Sequence, residues 1–243
     1  MKRINKQKIW NIVSVFMVVV LSLSTIILSV FWVREKHKEI QTPGYSERKL
    51  SMFEFENLNL AKEQIVFIGD SITDLCPLDK YYSDLSLATY NRGVGGDTTQ
   101  NVLNRLKLSL FDLMPTKVVM MIGINDINSN VGEEKLLKNY EEILKQISTN
   151  LPQTEVFCMS ILPMNKQIEE YSSISADKNL QIILRVNTQI EQIVEDYNYT
   201  YVNLFPYFSD SNDLLIEEYS DDGIHLNHNG FVVWSNILKP MLI

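Results

Sequence analysis

Ile65-Val66-Phe67-Ile68-Gly69-Asp70-Ser71-Ile72-Thr73 runs from four apolar residues through Gly-Asp-Ser and back to an apolar residue. Four apolar residues without polar alternation, closed by glycine, read as a strand buried on both faces. Ser71 then falls on a turn from strand to helix, where a side chain is presented at the edge of a sheet. The same pattern recurs downstream. Short apolar runs at 87–90, 117–122, 154–161 and 199–204 read as four further strands. Between and after them, residues 100–111, 133–149, 177–197 and 227–242 carry apolar positions at helical spacing. Continuous apolar strands alternating with helices predict an α/β protein, a three-layer α/β/α sandwich around a parallel sheet of about five strands. Ligands in such sheets bind at the carboxyl ends of the strands. The loops that follow the strands are therefore where chemistry is sought.

Upstream of this pattern the composition changes. No charged residue occurs from 9 to 33, a run rich in Val, Ile, Leu and Phe with Trp10 and Trp32 near its ends. At about 1.5 Å per residue it reaches roughly 37 Å, enough to cross a hydrocarbon core of about 30 Å. It exceeds the core of a signal peptide, and Phe31-Trp32-Val33-Arg34 offers no small-residue cleavage site. One N-terminal transmembrane helix is expected over 9–33. Lys2, Arg3, Lys6 and Lys8 precede it without an acid, so residues 1–8 are expected to form a basic cytoplasmic tail, with the rest exported as a single-pass protein. Residues 34–62 read as a charged linker with a Thr42-Pro43-Gly44 turn signal, followed by a strap packed on the main domain. Residues 63–243 form that domain.

The whole chain of 243 residues is 45% hydrophobic and carries −8; residues 1–38 contribute +6, so the remainder carries −14. An acidic domain of this kind excludes nucleic acid as a partner, because phosphate binding needs a basic surface. Cys76 and Cys158, the two cysteines present, are expected to be free and buried. No Cys or His cluster has metal-ligand spacing, and the expectation is no metal and no cofactor. The sequence carries no signal for oligomeric state.

Histidine is scarce: His37 lies on the linker, leaving His225 and His228 as candidates for a base. In Asp221-Asp222-Gly223-Ile224-His225, the i,i+3 spacing favours Asp222 over Asp221 as the carboxylate that accepts the Nδ1 proton of His225. Nε2 is then free to take a proton from a hydroxyl, and Ser71 is best placed to supply it. Its own N–H offers one donor for a developing oxyanion. The loop Asn91-Arg92-Gly93-Val94-Gly95-Gly96-Asp97-Thr98-Thr99 lets backbone approach a ligand, and it lacks the lysine of a phosphate loop. Asn125, in Gly123-Ile124-Asn125-Asp126, could add a side-chain amide. Asp70, Asp97 and Asp126 read as residues that brace loops, His228 as the start of the last helix, and Arg92 as either a substrate contact or a structural cation.

These four blocks, in this order, resemble those of the GDSL-type, or SGNH, ester hydrolases, from about Gln64 to the C-terminus. The resemblance implies a flavodoxin-like sandwich and serine-dependent hydrolysis of carboxylic esters. It implies Ser71 as nucleophile, His225 as base, Asp222 as its orienting acid, and an oxyanion hole from the Ser71 and Gly96 amides with the Asn125 side chain. One position departs from the pattern: Leu226 stands where many members have proline. The wording around Ser71 and Gly96 is similar to bacterial acylhydrolases related to the platelet-activating-factor acetylhydrolase type. A small-molecule, lipid or glycan ester is the implied substrate. O-acetyl ester hydrolysis or acyl transfer on cell-surface carbohydrate, and a non-catalytic tethered binding protein, are the alternatives.

Overall fold

The computed structural model describes residues 44–165 and 176–243, together with Trp10, Met17, Ser24, Thr25 and Leu28. The expected transmembrane segment therefore lies almost wholly outside the described residues. No helix among the described residues is long and apolar enough to cross a membrane. The chain divides into Met1–Gly44 and Tyr45–Ile243, and the second unit holds the sheet and the site.

That unit opens with helix α1 (Tyr45–Asn57), followed by β1 (Ile65–Gly69), the short helices α2 (Ser71–Asp74) and α3 (Leu78–Tyr82), and β2 (Thr89–Gly93). Helix α4 (Thr99–Asn104) leads through a π-helical turn to β3 (Lys117–Met121), α5 (Ile124–Asn128) and α6 (Glu133–Asn150). The chain continues with β4 (Glu155–Met159), α7 (Ala176–Asp196), β5 (Thr200–Val202), α8 (Phe205–Phe208) and α9 (His228–Leu238). All four strand pairings are parallel, in the order β2-β1-β3-β4-β5. The connections from β1 run outward in both directions, to β2 on one side and past it to β3 on the other. A crevice opens at such a switch point, at the carboxyl ends of β1 and β3.

Every residue of β1 is buried, yet successive side chains still face opposite layers. Val66 and Ile68, with Val118, Met120, Val156 and Cys158 of the neighbouring strands, pack under α4, α6 and α7 through Val102, Tyr140, Ile143, Ile183 and Val186. Ile65 and Phe67, with Val119, Met121 and Phe157, meet Tyr82, Phe231, Trp234 and Leu238 of α3 and α9. Two apolar layers around one parallel sheet make the expected sandwich. Burying a large aliphatic or aromatic side chain contributes about 1.5–3 kcal/mol, so a five-stranded sheet covered on both faces gives the loops a rigid base.

Local differences from the sequence reading have identifiable causes. The helix expected over 100–111 breaks into α4 and the π-helical turn Lys107–Phe111. Arg105, at the break, turns its guanidinium inward to Asp97, the Arg92 and Gly69 carbonyls and Ser109. The second strand extends to Gly93 because its polar residues find partners. Asn91 donates to the carbonyls of Thr73 and Cys76, and Arg92 pairs with Glu56. The last helix stops at Leu238 and tightens into a 3-10 turn at Lys239–Met241, where Pro240 has no N–H to continue it.

Candidate active site

Asp70 follows β1 and caps α2: its Oδ1 accepts the Ile72 N–H at 3.0 Å. This cap sets Ser71 as the first helical residue at the carboxyl end of the central strand. From across the crevice comes the loop ahead of α9. There Asp222 Oδ1 accepts the backbone N–H groups of Ile224 and His225, at 3.0 and 2.8 Å. That turn doubles the chain back, bringing His225 Nδ1 to 2.5 Å from Asp222 Oδ2. His225 Nε2 then lies 2.8 Å from Ser71 Oγ. An ionised carboxylate can only accept, so the ring proton sits on Nδ1 and Nε2 accepts from the serine hydroxyl. The structure thus joins Ser71, His225 and Asp222 in one hydrogen-bonded series.

Burial pushes the Asp222 carboxyl up, but hydrogen bonds from the His225 side chain and from the His225 and Ile224 amides outweigh it and hold it below the usual range. Asp222 is thus kept as an anion beside the His225 ring. Asp221 is elsewhere, accepting from Asn227. His228 begins α9 and contacts the Tyr81 hydroxyl. Arg92 is buried against α1, between Glu56, Asn57 and the Phe53 ring, and its role is structural.

The glycine loop forms a turn in which the Asp97 N–H donates to the Val94 carbonyl at 3.1 Å. Gly96 has φ +82°, the value that the third residue of a type II turn requires and that glycine adopts without strain. The turn lies against the serine: a Cβ built on Gly95 would stand 3.9 Å from Ser71 Cβ. Asn125, in α5 just after β3, donates its side-chain amide to the Asp97 carbonyl at 2.9 Å, leaving its second amide hydrogen available. The backbone N–H groups of Ser71 and Gly96 have no protein acceptor among the described residues.

Behind this front stand buried polar residues. Arg105 and Asp97, each about 4% exposed, pair at 2.7 Å. Asp126 accepts the Thr99 N–H and hydroxyl at 2.9 and 2.6 Å, tying α5 to the start of α4. Burial pushes Asp70 up to about 7, against the Ile72 hydrogen bond and the nearby His225. The sequence reading missed Arg105 and Asp74, which accepts the Gly95 N–H at 3.0 Å. Nothing local marks either one, because most of their partners lie on other elements of the fold. Cys76 and Cys158 are free and buried, and burial pushes both thiols up to about 12. Among the described residues, no group of three or more His, Cys, Asp or Glu side chains is arranged to hold a metal ion.

A small apolar cavity of about 10 Å³ adjoins the site. Its walls include the chain neighbours of the three site loops, namely Asp70, Ile72, Ile124 and Ile224, together with Ile161 and Met164. The space suits about one water-sized group.

The fold and the site define the class: a parallel α/β protein with a hydrogen-bonded Ser–His–Asp series at the carboxyl ends of its strands. The chain belongs to the GDSL-like lipase/acylhydrolase family, whose model matches residues 67–232. Subunit alpha1 of platelet-activating factor acetylhydrolase IB from Rattus norvegicus is 27% identical over 184 residues, covering 74% of this chain and 75% of that protein. Subunit alpha2 from Homo sapiens is 33% identical over 106 residues, covering 42% of this chain. The match thus spans less than half, 45%, of the length of that relative. Among solved structures, one of a platelet activating factor from Streptococcus pneumonia superposes with a TM-score of 0.76. It is 27% identical and covers 91% of this chain and 99% of its own. A GDSL-like lipase from Bacteroides thetaiotaomicron shares the fold, with a TM-score of 0.69 at 24% identity, over 79% of this chain and 96% of its own.

Proposed function

We propose that the protein hydrolyses carboxylic esters with short acyl groups, with Ser71 as nucleophile. The observation that carries this reading is the unbroken series from Ser71 Oγ through His225 to Asp222. His225 Nε2 takes the Ser71 proton as Oγ attacks the ester carbonyl. Asp222 holds the ring and stabilises the imidazolium. The Ser71 and Gly96 amides and the free amide hydrogen of Asn125 receive the oxyanion, each worth about 10²–10³ in rate. His225 then protonates the leaving alcohol, and water activated by the same nitrogen releases the acid.

The relatives named as acetylhydrolases support a short acyl group. Ser71→Ala should abolish turnover of p-nitrophenyl acetate and labelling by a fluorophosphonate, with the circular dichroism unchanged. Retention of either activity in the folded variant sinks the assignment.

The charge-free run over residues 9–33 supports a second element, a single-pass anchor with the domain outside the cell. Carbonate-resistant sedimentation with membranes, and protease cleavage of the domain on intact cells, are the expected results. Release by carbonate removes the anchor from the reading. Hydrolysis and acyl transfer to a glycan use the same residues, and product analysis with acceptor sugars separates them.

A further inference from the structure

Asp74 is the fourth residue of α2, so its backbone is fixed relative to Ser71. Its side chain is 8% exposed and gathers three donors from two other parts of the chain. Oδ2 accepts the Tyr45 hydroxyl at 2.5 Å and the Gly95 N–H at 3.0 Å. Oδ1 pairs with Lys49 Nζ at 2.8 Å. The Tyr45 ring also closes on the turn directly: a Cβ on Gly95 would meet Tyr45 Cε1 at 3.3 Å. The first two turns of α1 therefore rest on the glycine turn beside the serine.

A four-residue turn of this kind has two common forms. Types I and II differ chiefly by a flip of the central peptide, here Gly95–Gly96, and glycine at both central positions makes each form accessible. The flip would exchange the Gly96 N–H for the Gly95 carbonyl. An oxyanion donor would be replaced by an acceptor that repels the developing charge. Holding the Gly95 N–H on Asp74, while Asn125 holds the Asp97 carbonyl at the other end, clamps both corners of the turn. Lys49 also offsets the charge of Asp74, which would otherwise oppose a negative oxygen forming nearby.

We propose that Tyr45 and Lys49 are positioning residues for the oxyanion turn, acting through Asp74 to fix the Gly95–Gly96 peptide. The proposal rests on Ser71 as nucleophile and Gly96 as donor. It makes α1 a working part of the active site rather than a packing strap. The far half of α1 is secured separately: Phe53 is fully buried under Arg92, and Glu56 and Asn57 both bind Arg92. Substitution at Tyr45 or Lys49 therefore leaves the helix attached.

The test uses the full-length chain in detergent, with Tyr45→Phe, Lys49→Met, their double variant, and Lys49→Arg. On p-nitrophenyl acetate the double variant should lose about tenfold in kcat, with KM within about twofold, as expected when an oxyanion donor is displaced rather than removed. Lys49→Arg should restore most of the rate. Hydrogen exchange in a peptide spanning residues 93–98 should be about tenfold faster in the double variant, since the Gly95 amide loses its fixed acceptor. Unchanged kcat, a loss confined to KM, or unchanged exchange overturns the proposal. If the parent chain neither turns over esters nor reacts with a fluorophosphonate at Ser71, the functional reading fails instead. Exchange alone then decides whether Tyr45 and Lys49 hold the turn.

Discussion

Replacing Asp70 by Asn should flatten the pH dependence of stability by an amount that follows from its burial. Asp70 is about 1% exposed, and burial raises it from 3.8 to about 7. A carboxyl raised in the native state binds more protons there than in the unfolded chain between about pH 4 and 7. Stability therefore falls as pH rises through that window and levels off above it. A shift of about three pH units corresponds to about 4 kcal/mol in total, of which about 2–3 kcal/mol falls between pH 5 and 8. Asn keeps the acceptor for the Ile72 N–H and cannot ionise. Any cost of burying its NH2 shifts stability equally at every pH, so the slope, not the level, is diagnostic. Urea unfolding of both proteins at pH 5, 6, 7 and 8 measures it. Asp97 and Asp126, also raised chiefly by burial, titrate in both chains, and their repulsion of Asp70 is part of the difference between the two slopes. The wild-type chain should lose about 2–3 kcal/mol more than Asp70→Asn across the range. Parallel profiles would refute the argument that Asp70 ionises inside the fold.

Two further outcomes follow from the packing behind the site. Arg105→Met removes the partner of buried Asp97 and the donor to the Gly69 and Arg92 carbonyls. It should cost about 3–5 kcal/mol in urea unfolding, and adding Asp97→Asn should recover part of that loss. Asn125→Ala should lower kcat about 10²–10³-fold on p-nitrophenyl acetate while KM changes little; an equal loss in KM would show that the amide binds the ground state instead.

The strand-and-turn at residues 65–73 was legible because burial and turn chemistry are both local. Four apolar residues specify a strand covered on both faces, and Asp-Ser specifies the capped turn that follows. Asp222 and His225 were legible for a similar reason: three residues of separation let one carboxylate bind both the loop backbone and the ring. Helix 100–111 was misread because its break depends on Arg105 reaching Asp97 and the carbonyls of Arg92 and Gly69 on other elements, which periodicity cannot express. The strand through Asn91 and Arg92 was cut short for the same reason. Polar residues are depleted in strands unless distant partners satisfy them.

By itself the sequence determined the alternation of strands and helices. It offered Ser71, Asp222, His225 and Asn125 by residue type and spacing, and Gly96 through its resemblance to a family, as groups for one site. Their meeting was a matter for the tertiary structure. Ser71 and His225 lie 154 residues apart in the chain, and only the parallel sheet order brings their loops to one crevice. The same holds for Tyr45 and Asp74, 29 residues apart, which nothing in the local pattern connects. Side-chain type and short spacing are encoded residue by residue, whereas the approach of distant loops depends on the packing of the whole sheet.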